Sequence, residues 1–266
     1  MHAPRKRFGQ NFLQEPSVVD RILRAIDPRA GQRVVEIGPG QGALTVPLVN
    51  VLGALAVIEI DRDLVRELRS RFGPDQVTVH EGDVLAFEFA GLGGDLRVVG
   101  NLPYNISTPV LFALTAQVQV VRDCHFMLQR EVVRRICAPA GSPDYGRLSV
   151  MLQYRWRTEA LFDVPPTAFR PAPKVWSSLV RLVPHATLPW PASDEAVFAK
   201  TVTAAFGQRR KTLRNALGKL CSGDELVRLG IDPSSRAEEL GVESFVTIAN
   251  FLAKRREGSP PGQTLR

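Results

Sequence analysis

The sequence predicts an α/β fold: a Rossmann-like, mostly parallel sheet with a smaller all-helical C-terminal domain. Three observations carry this. Short apolar runs alternate with helical spacing along the first half of the chain. Residues 39–58 and 98–121 hold no charged side chain, as strands and helices buried on both faces require. Beyond residues 184–191, which contain three prolines and read as a linker, the apolar spacing is helical throughout.

The elements follow in order. A basic arm at 5–12 precedes a helix over 17–26, with Ser17 as its N-cap and Val18, Ile22 and Ile26 on one face. A strand at 33–37 runs into a Gly-rich turn and a helix over 43–52. A second strand, 54–60, leads to a charged helix over 62–72, and a third covers 77–81. A fourth strand, 96–100, precedes a helix at about 109–115, and a fifth covers 125–128. Segments 148–156, 157–164 and 176–184 read as extended pieces between Pro-rich turns, suited to antiparallel strands at one edge. Helical spacing covers 197–206, 212–220, 222–229 and 244–252. The expected division is 1–185 as the sheet domain with its arm, 186–253 as the helical domain, and 254–266 as a disordered tail rich in charge, then Gly, Ser and Pro.

Charge adds a partner class. The chain has 266 residues and a formal net charge of +7. Residues 1–182 carry 22 basic and 18 acidic side chains, and 183–266 carry 12 and 9, so the shorter part is more basic per residue. That balance suits an anionic partner, most simply nucleic acid. Three cysteines (Cys124, Cys137, Cys221) are too few for a disulfide framework, and their spacing makes no CxxC metal site. With no signal-like apolar run near the start and both charge-free stretches broken by Gly, Pro, Asn and Gln, the expectation is a cytoplasmic protein without a membrane span.

The Gly-rich turn reads Glu36-Ile37-Gly38-Pro39-Gly40-Gln41-Gly42 between a strand and a helix. Its GxGxG spacing departs from the GxGxxG that holds a dinucleotide pyrophosphate. Glu59 ends the second strand, where a carboxylate can accept from both hydroxyls of a ribose. Asp83 follows the third, beside Val84, where it can accept from an adenine amino group. Asp63 reads as a helix N-terminal charge. A ribose and an adenine without a pyrophosphate loop point to S-adenosylmethionine, with NAD disfavoured, and so to a Rossmann-like S-adenosylmethionine-dependent methyltransferase sheet.

Asn101-Leu102-Pro103-Tyr104 follows the fourth strand. An exocyclic nucleobase amine is a poor nucleophile because its lone pair is conjugated with the ring. Acceptors on its N–H bonds let the nitrogen turn pyramidal and aim that pair. The Asn101 side-chain oxygen and the Leu102 carbonyl are two such acceptors. Pro103 stiffens the loop, and Tyr104 offers a ring for the base to stack on. A sulfonium is an excellent leaving group, so positioning suffices without a strong base.

The segments RFGQNFL at 7–13, EIGPGQG at 36–42, NLPYNIS at 101–107, VPPTAFRPAPKVWSS at 164–178 and FGQRRKTLRNAL at 206–217 resemble the small-subunit (16S) ribosomal RNA adenine N6,N6-dimethyltransferases, the kasugamycin-resistance dimethyladenosine transferases, in order over residues 5 to 253. The resemblance implies dimethylation of two adjacent adenosines in the 3′-terminal hairpin of 16S rRNA, late in small-subunit assembly, with a consequence for kasugamycin sensitivity. It implies that Asn11 and Leu13 lie over the methionine end of S-adenosylmethionine, that Gly38 and Gly40 form the cofactor turn, that Glu59 holds the ribose and Asp83 with Val84 the adenine. It further implies that Asn101 touches cofactor and target amine, that Tyr104 stacks on the target base, and that Phe169 closes the base from the other side. Read from its surroundings alone, Phe169 is equally a core residue between Pro-rich turns.

Residues 200–220 hold six basic side chains (Lys200, Arg209, Arg210, Lys211, Arg214, Lys219) and no acidic one, which suits a phosphate footprint. Arg5, Lys6 and Arg7 are expected to add to it. Arg130, Arg134 and Arg135, interleaved with Glu131, make a weaker case. The expected state is a monomer acting on 16S rRNA in the small subunit or its precursor, with no metal. Three other readings share some features: a 23S rRNA adenine N6-methyltransferase, a non-catalytic RNA-binding assembly factor, and an amine methyltransferase acting on protein glutamine. Segments 164–178 and 206–217 weigh against the first, intact Glu59, Asp83, Asn101 and Tyr104 against the second, and the basic C-terminal run against the third.

Overall fold

Strands buried on both faces build one long sheet. The computed structural model describes residues 10–208 and 210–257. By contacts the chain divides into two units. One holds the residues up to Val133 together with Trp156–Pro184, and the other holds Arg134–Arg155 together with the residues from His185 on. The sequence pattern places one cut near residue 185. The structure instead assigns 134–155 to the helical unit, because Ala138, Tyr145, Val150 and Tyr154 pack into that unit's core.

In the first unit, β1 (Phe12–Leu13) and α1 (Pro16–Ile26) precede β2 (Val34–Ile37), α2 (Thr45–Leu52), β3 (Leu55–Glu59), α3 (Arg62–Arg71), β4 (Val77–Glu81), β5 (Leu96–Asn101), α4 (Ser107–Ala116) and β6 (Val121–Gln129). Helix α5 (Arg130–Cys137) and α6 (Arg147–Gln153) follow, then β7 (Trp156–Val164), β8 (Phe169–Arg170) and β9 (Ser177–Pro184). Among the described residues the main sheet runs β4-β3-β2-β5-β6-β9-β7. Strands β2 to β6 pair in parallel, and β9 and β7 extend the sheet antiparallel. The strand order reverses between β2 and β5, the position where open α/β sheets bind ligands at the carboxyl ends of their strands.

Gly100 lies in β5 beside this reversal. A Cβ built on it would stand 2.4 Å from the Ile37 carbonyl oxygen, so the close approach of β5 to β2 needs a glycine. At the opposite edge of the sheet Arg97 is buried. Its Nε and Nη2 donate to Asp123 at 3.0 Å, Nη2 also to the Ile26 carbonyl at 2.6 Å, and Nη1 to Gln32 at 2.9 Å. One side chain thus ties the end of α1 to β5 and β6.

Three expectations for single elements change. Helix α1 begins at Pro16 with Glu15 in the cap position, and the Ser17 hydroxyl donates to Glu15 at 2.9 Å instead of capping. Proline at the first helical position needs no N–H, which moves the start forward. Most of 148–156 is helix, not strand. The alternation of Leu148, Val150 and Leu152 mimics a strand, but Ser149 is buried as well, and a helix buried all round shows no single apolar face. The Ser149 hydroxyl accepts from the Gly146 N–H at 3.0 Å and starts that helix. Helix α5 was not expected, although Val132, Val133 and Ile136 fall on one face and are buried.

In the second unit α7 (Glu195–Phe206), α8 (Leu213–Ala216), α9 (Gly223–Arg228) and α10 (Val242–Glu257) surround Phe198, Leu213, Leu226, Phe245 and Ile248. Helix α10 runs through Glu257, four residues into the expected tail. Lys254, Arg255 and Arg256 form its last turn, where cations oppose the helix dipole. Residues 258–266 lie outside the described residues. Among the described residues no helix is long and apolar enough to cross a membrane.

Candidate active site

The carboxyl ends of β2, β3, β4 and β5 open into a cavity of about 280 Å³, the scale of a small-molecule site. Its lining includes Asn11, Leu13, Gly38, Gly40, Glu59, Asp83, Val84, Asn101, Leu102 and Tyr104. Elements separated by up to 90 residues in sequence thus meet in one place.

The turn after β2 is shaped by Gly38, Gly40 and Gly42, with φ of 65°, 57° and 83°. At Gly40 a Cβ would also stand 3.0 Å from the Phe12 ring. Only glycine lets this turn pass beneath the arm. The Gly38 N–H donates to the Ile58 carbonyl at 2.9 Å, locking the turn to β3.

Glu59 is 5% exposed. Its Oε1 accepts from the Ile60 and Asp61 N–H groups, both at 2.9 Å, and its Oε2 from Gly40 N–H at 3.4 Å. Burial raises its pKa, and these backbone donors oppose the rise. The carboxylate is rigidly aimed: Oε1 is filled by its two backbone donors, and Oε2 keeps a second lone pair for a ligand hydroxyl. Asp61 caps α3 through the Asp63 N–H at 3.1 Å, which agrees with reading Asp63 as a first-turn charge. Asp83 Oδ1 accepts from the Leu85 N–H at 2.9 Å and so turns the chain after β4, leaving Oδ2 beside the cavity.

Asn101 ends β5. Its Nδ2 donates to the Asn11 carbonyl at 2.8 Å. That bond fixes the amide and turns the Oδ1 acceptor away from the arm. The Leu102 N–H donates to the Met127 carbonyl at 3.2 Å, holding the tetrapeptide against β6. The Tyr104 hydroxyl shares a 2.7 Å hydrogen bond with the Ser177 hydroxyl. Burial raises the phenol pKa, so Tyr104 stays neutral and offers a ring, not a base. The arm is held at a third point, where Gln10 Nε2 donates to Asp61 at 3.3 Å.

Phe169 is placed differently from the family-based expectation. It is 1% exposed, belongs to the core with Leu13, Val164, Ala168 and Leu179, and does not line the cavity. Strand β8 pairs with β1, Leu13 opposite Phe169, and in this two-residue strand Phe169 is buried and Arg170 exposed. Its structural contribution here is to anchor the arm.

Some site residues were not singled out from sequence. Glu36 lines the cavity and is 2% exposed. Burial pushes its pKa up to about 7, opposed by the Thr45 hydroxyl, which donates at 2.6 Å, and supported by the nearby Glu59 charge. An acid inside an apolar strand run was the available signal. Ser177 carried none, since only pairing of β9 with β6 brings it to Tyr104.

In the helical unit Lys200, Arg210, Lys211, Arg214 and Lys219 are exposed, as a phosphate footprint requires. Arg5, Lys6, Arg7 and Arg209 lie outside the described residues.

The family described as ribosomal RNA adenine dimethylase matches residues 1–254. A protein named ribosomal RNA small subunit methyltransferase A from Aromatoleum aromaticum is 58% identical over 254 residues, 96% of each chain. Its namesake from Thiobacillus denitrificans is 56% identical over 255 residues, covering 96% of this chain and all of that one. Among solved structures, a dimethyladenosine transferase from Plasmodium falciparum superposes with a TM-score of 0.80 at 24% identity, covering 92% of this chain and 98% of that one. The 23S rRNA methyltransferase ErmE gives 0.72 at 23% identity, covering 91% and 100%. At that identity these two structures report the fold alone.

Proposed function

The chain belongs to the ribosomal RNA adenine dimethylase family, and from that premise we propose that it dimethylates N6 of two adjacent adenosines in the 3′-terminal hairpin of 16S rRNA. It is an S-adenosylmethionine-dependent rRNA methyltransferase. The observation that supports the finer reading is the meeting of Asn101–Tyr104 with Glu59 and Asp83 in one cavity.

The cavity suits an adenosine-bearing cofactor. It has an aimed carboxylate at Glu59, an acceptor at Asp83, and a turn of positive-φ glycines, Gly38 and Gly40, in its lining. When bound, the cofactor supplies an electrophilic methyl group on a sulfonium. Glu59 holds the ribose hydroxyls, Asp83 and Val84 the adenine, and the Asn11–Leu13 arm covers the remaining end. In the first transfer Asn101 Oδ1 and the Leu102 carbonyl accept from the two N–H bonds of the target amine, and in the second one of them accepts from the single N–H that remains. That interaction favours a pyramidal nitrogen with its lone pair directed at the methyl carbon. Tyr104 stacks on the base and keeps it in plane with those acceptors. One proton leaves the nitrogen at each transfer. Because no strongly basic group adjoins the amine, its release follows methyl transfer instead of preceding it.

The exposed cations of the helical unit bind phosphates of the substrate. We place the protein in the cytoplasm, as a monomer acting on the small subunit or its precursor. Transfer of labelled methyl groups to unmethylated small subunits and, separately, to large subunits, followed by nucleoside analysis, tests this. Dimethyladenosine in 16S rRNA is expected, and label confined to 23S rRNA overturns the assignment.

A further inference from the structure

Trp176 is not part of the cavity, yet it is 43% exposed, with neighbouring Val175 at 40%. Large apolar side chains left in water side by side are worth explaining, most of all an indole. The backbone here is well held. The Arg130 N–H donates to the Trp176 carbonyl at 2.9 Å, and the next residue, Ser177, pairs with Gln129 as β9 begins. Pro171 and Pro173 limit the freedom of the loop leading in.

The position is informative. Strand β6 runs parallel to β5, so Gln129 lies at the same carboxyl edge of the sheet as Asn101. Strand β9 is two places from β5, a separation of about 10 Å. Ser177, adjacent to Trp176, holds the Tyr104 hydroxyl at 2.7 Å. Trp176 therefore sits at the carboxyl edge of the sheet, the edge on which the cavity opens.

Charge defines the occupant. The Arg130 guanidinium lies over the Trp176 ring, 5.5 Å from its centroid. Arg170 and Lys174 are exposed on the same loop. Asp163, 3.6 Å from Arg130, is the acidic group paired with that guanidinium. An exposed ring flanked by cations is how proteins hold an unpaired base and its phosphate.

We propose that Trp176, with Arg130, is a stacking platform for an unpaired nucleotide adjoining the target adenosine. The proposal rests on the rRNA methyltransferase reading and adds a specificity contact to it. It explains why a loop outside the cofactor site keeps a tryptophan in water, and how one base is held while its neighbour occupies the cavity.

The test uses a hairpin RNA in which 2-aminopurine replaces a nucleotide flanking the target. The full-length protein should quench its fluorescence by stacking. Trp176→Ala should lose the quench and weaken RNA binding about tenfold. Trp176→Phe should restore most of both. The substitution is expected to raise KM for RNA more than it lowers kcat, and to leave cofactor affinity and the thermal midpoint as in the wild type. An equal quench and equal RNA affinity in Trp176→Ala would overturn the platform. Binding and quench are read without turnover, so a wild-type protein that failed to methylate the RNA would sink the functional reading and leave this result independent of it.

Discussion

At the scale of single residues, the proposed mechanism divides the chemistry between Asn101 and Tyr104. Asn101 has one amide end engaged by Asn11 and the other turned to the cavity, so replacing it removes both an acceptor and an arm contact. Asn101→Ala should lower methyl transfer at least a hundredfold, measured as single-turnover incorporation. Full activity in that variant would undo the acceptor mechanism. Tyr104 makes the opposite case. Its hydroxyl is occupied by Ser177, so Tyr104→Phe should cost only about 1 kcal/mol of stability. It should keep most of the rate, whereas Tyr104→Ala should lose it. A phenylalanine variant as dead as the alanine one would mean that the hydroxyl itself acts. Glu36 binds a proton up to about pH 7 when folded but only near 4.5 when free. Its raised pKa favours the folded state at low pH, and this contribution fades as pH rises from 4.5 through 7. Glu36→Gln should therefore gain on the wild type in urea midpoint across that window, with the difference level above it.

At the scale of elements, the parallel strands and their connecting helices were legible because each carries its own signal. Apolar runs of four or five residues alternate with helical spacing, and β4 spans the expected residues without adjustment. Helix α6 was not legible, because buried Ser149 between leucine and valine hides the helical period. The close approach of β5 to β2 depends on Gly100. Gly100→Ala forces a Cβ against the Ile37 carbonyl and should destabilise the fold by about 1–3 kcal/mol, read as a lowered unfolding midpoint. On β6, His125 is 1% exposed. Burial pushes its pKa down to about 4, with Asp123 opposing and Arg97 and Arg181 assisting. The unfolded chain takes up that proton near pH 6.5. Stability is then lost as pH falls from 6.5 towards 4, by about 3 kcal/mol at the low end. His125→Gln should flatten that acid limb, and an unchanged limb would remove His125 as its cause.

At the scale of the whole molecule, the proposed function divides the task between a cofactor unit and a helical unit. The cations exposed on the helical unit are its proposed phosphate footprint. Neutralising Arg210, Lys211 and Arg214 together should reduce the slope of log affinity against log salt by about 2, while cofactor affinity holds. An unchanged slope would remove those side chains from the interface. Sequence by itself determined the strand–helix order from β2 to β6, the glycine turn, the acidic strand ends and the Asn-Leu-Pro-Tyr tetrapeptide. Each of these is a local pattern whose chemistry is contained in a few adjacent residues. Tertiary structure alone decided that Phe169 anchors the arm, that Ser177 steadies Tyr104, that residues 134–155 join the helical unit, and that Trp176 sits at the carboxyl edge of the sheet. These depend on which distant strands pair and in what register, and side-chain neighbours across a sheet leave no mark on the residues beside them in the chain.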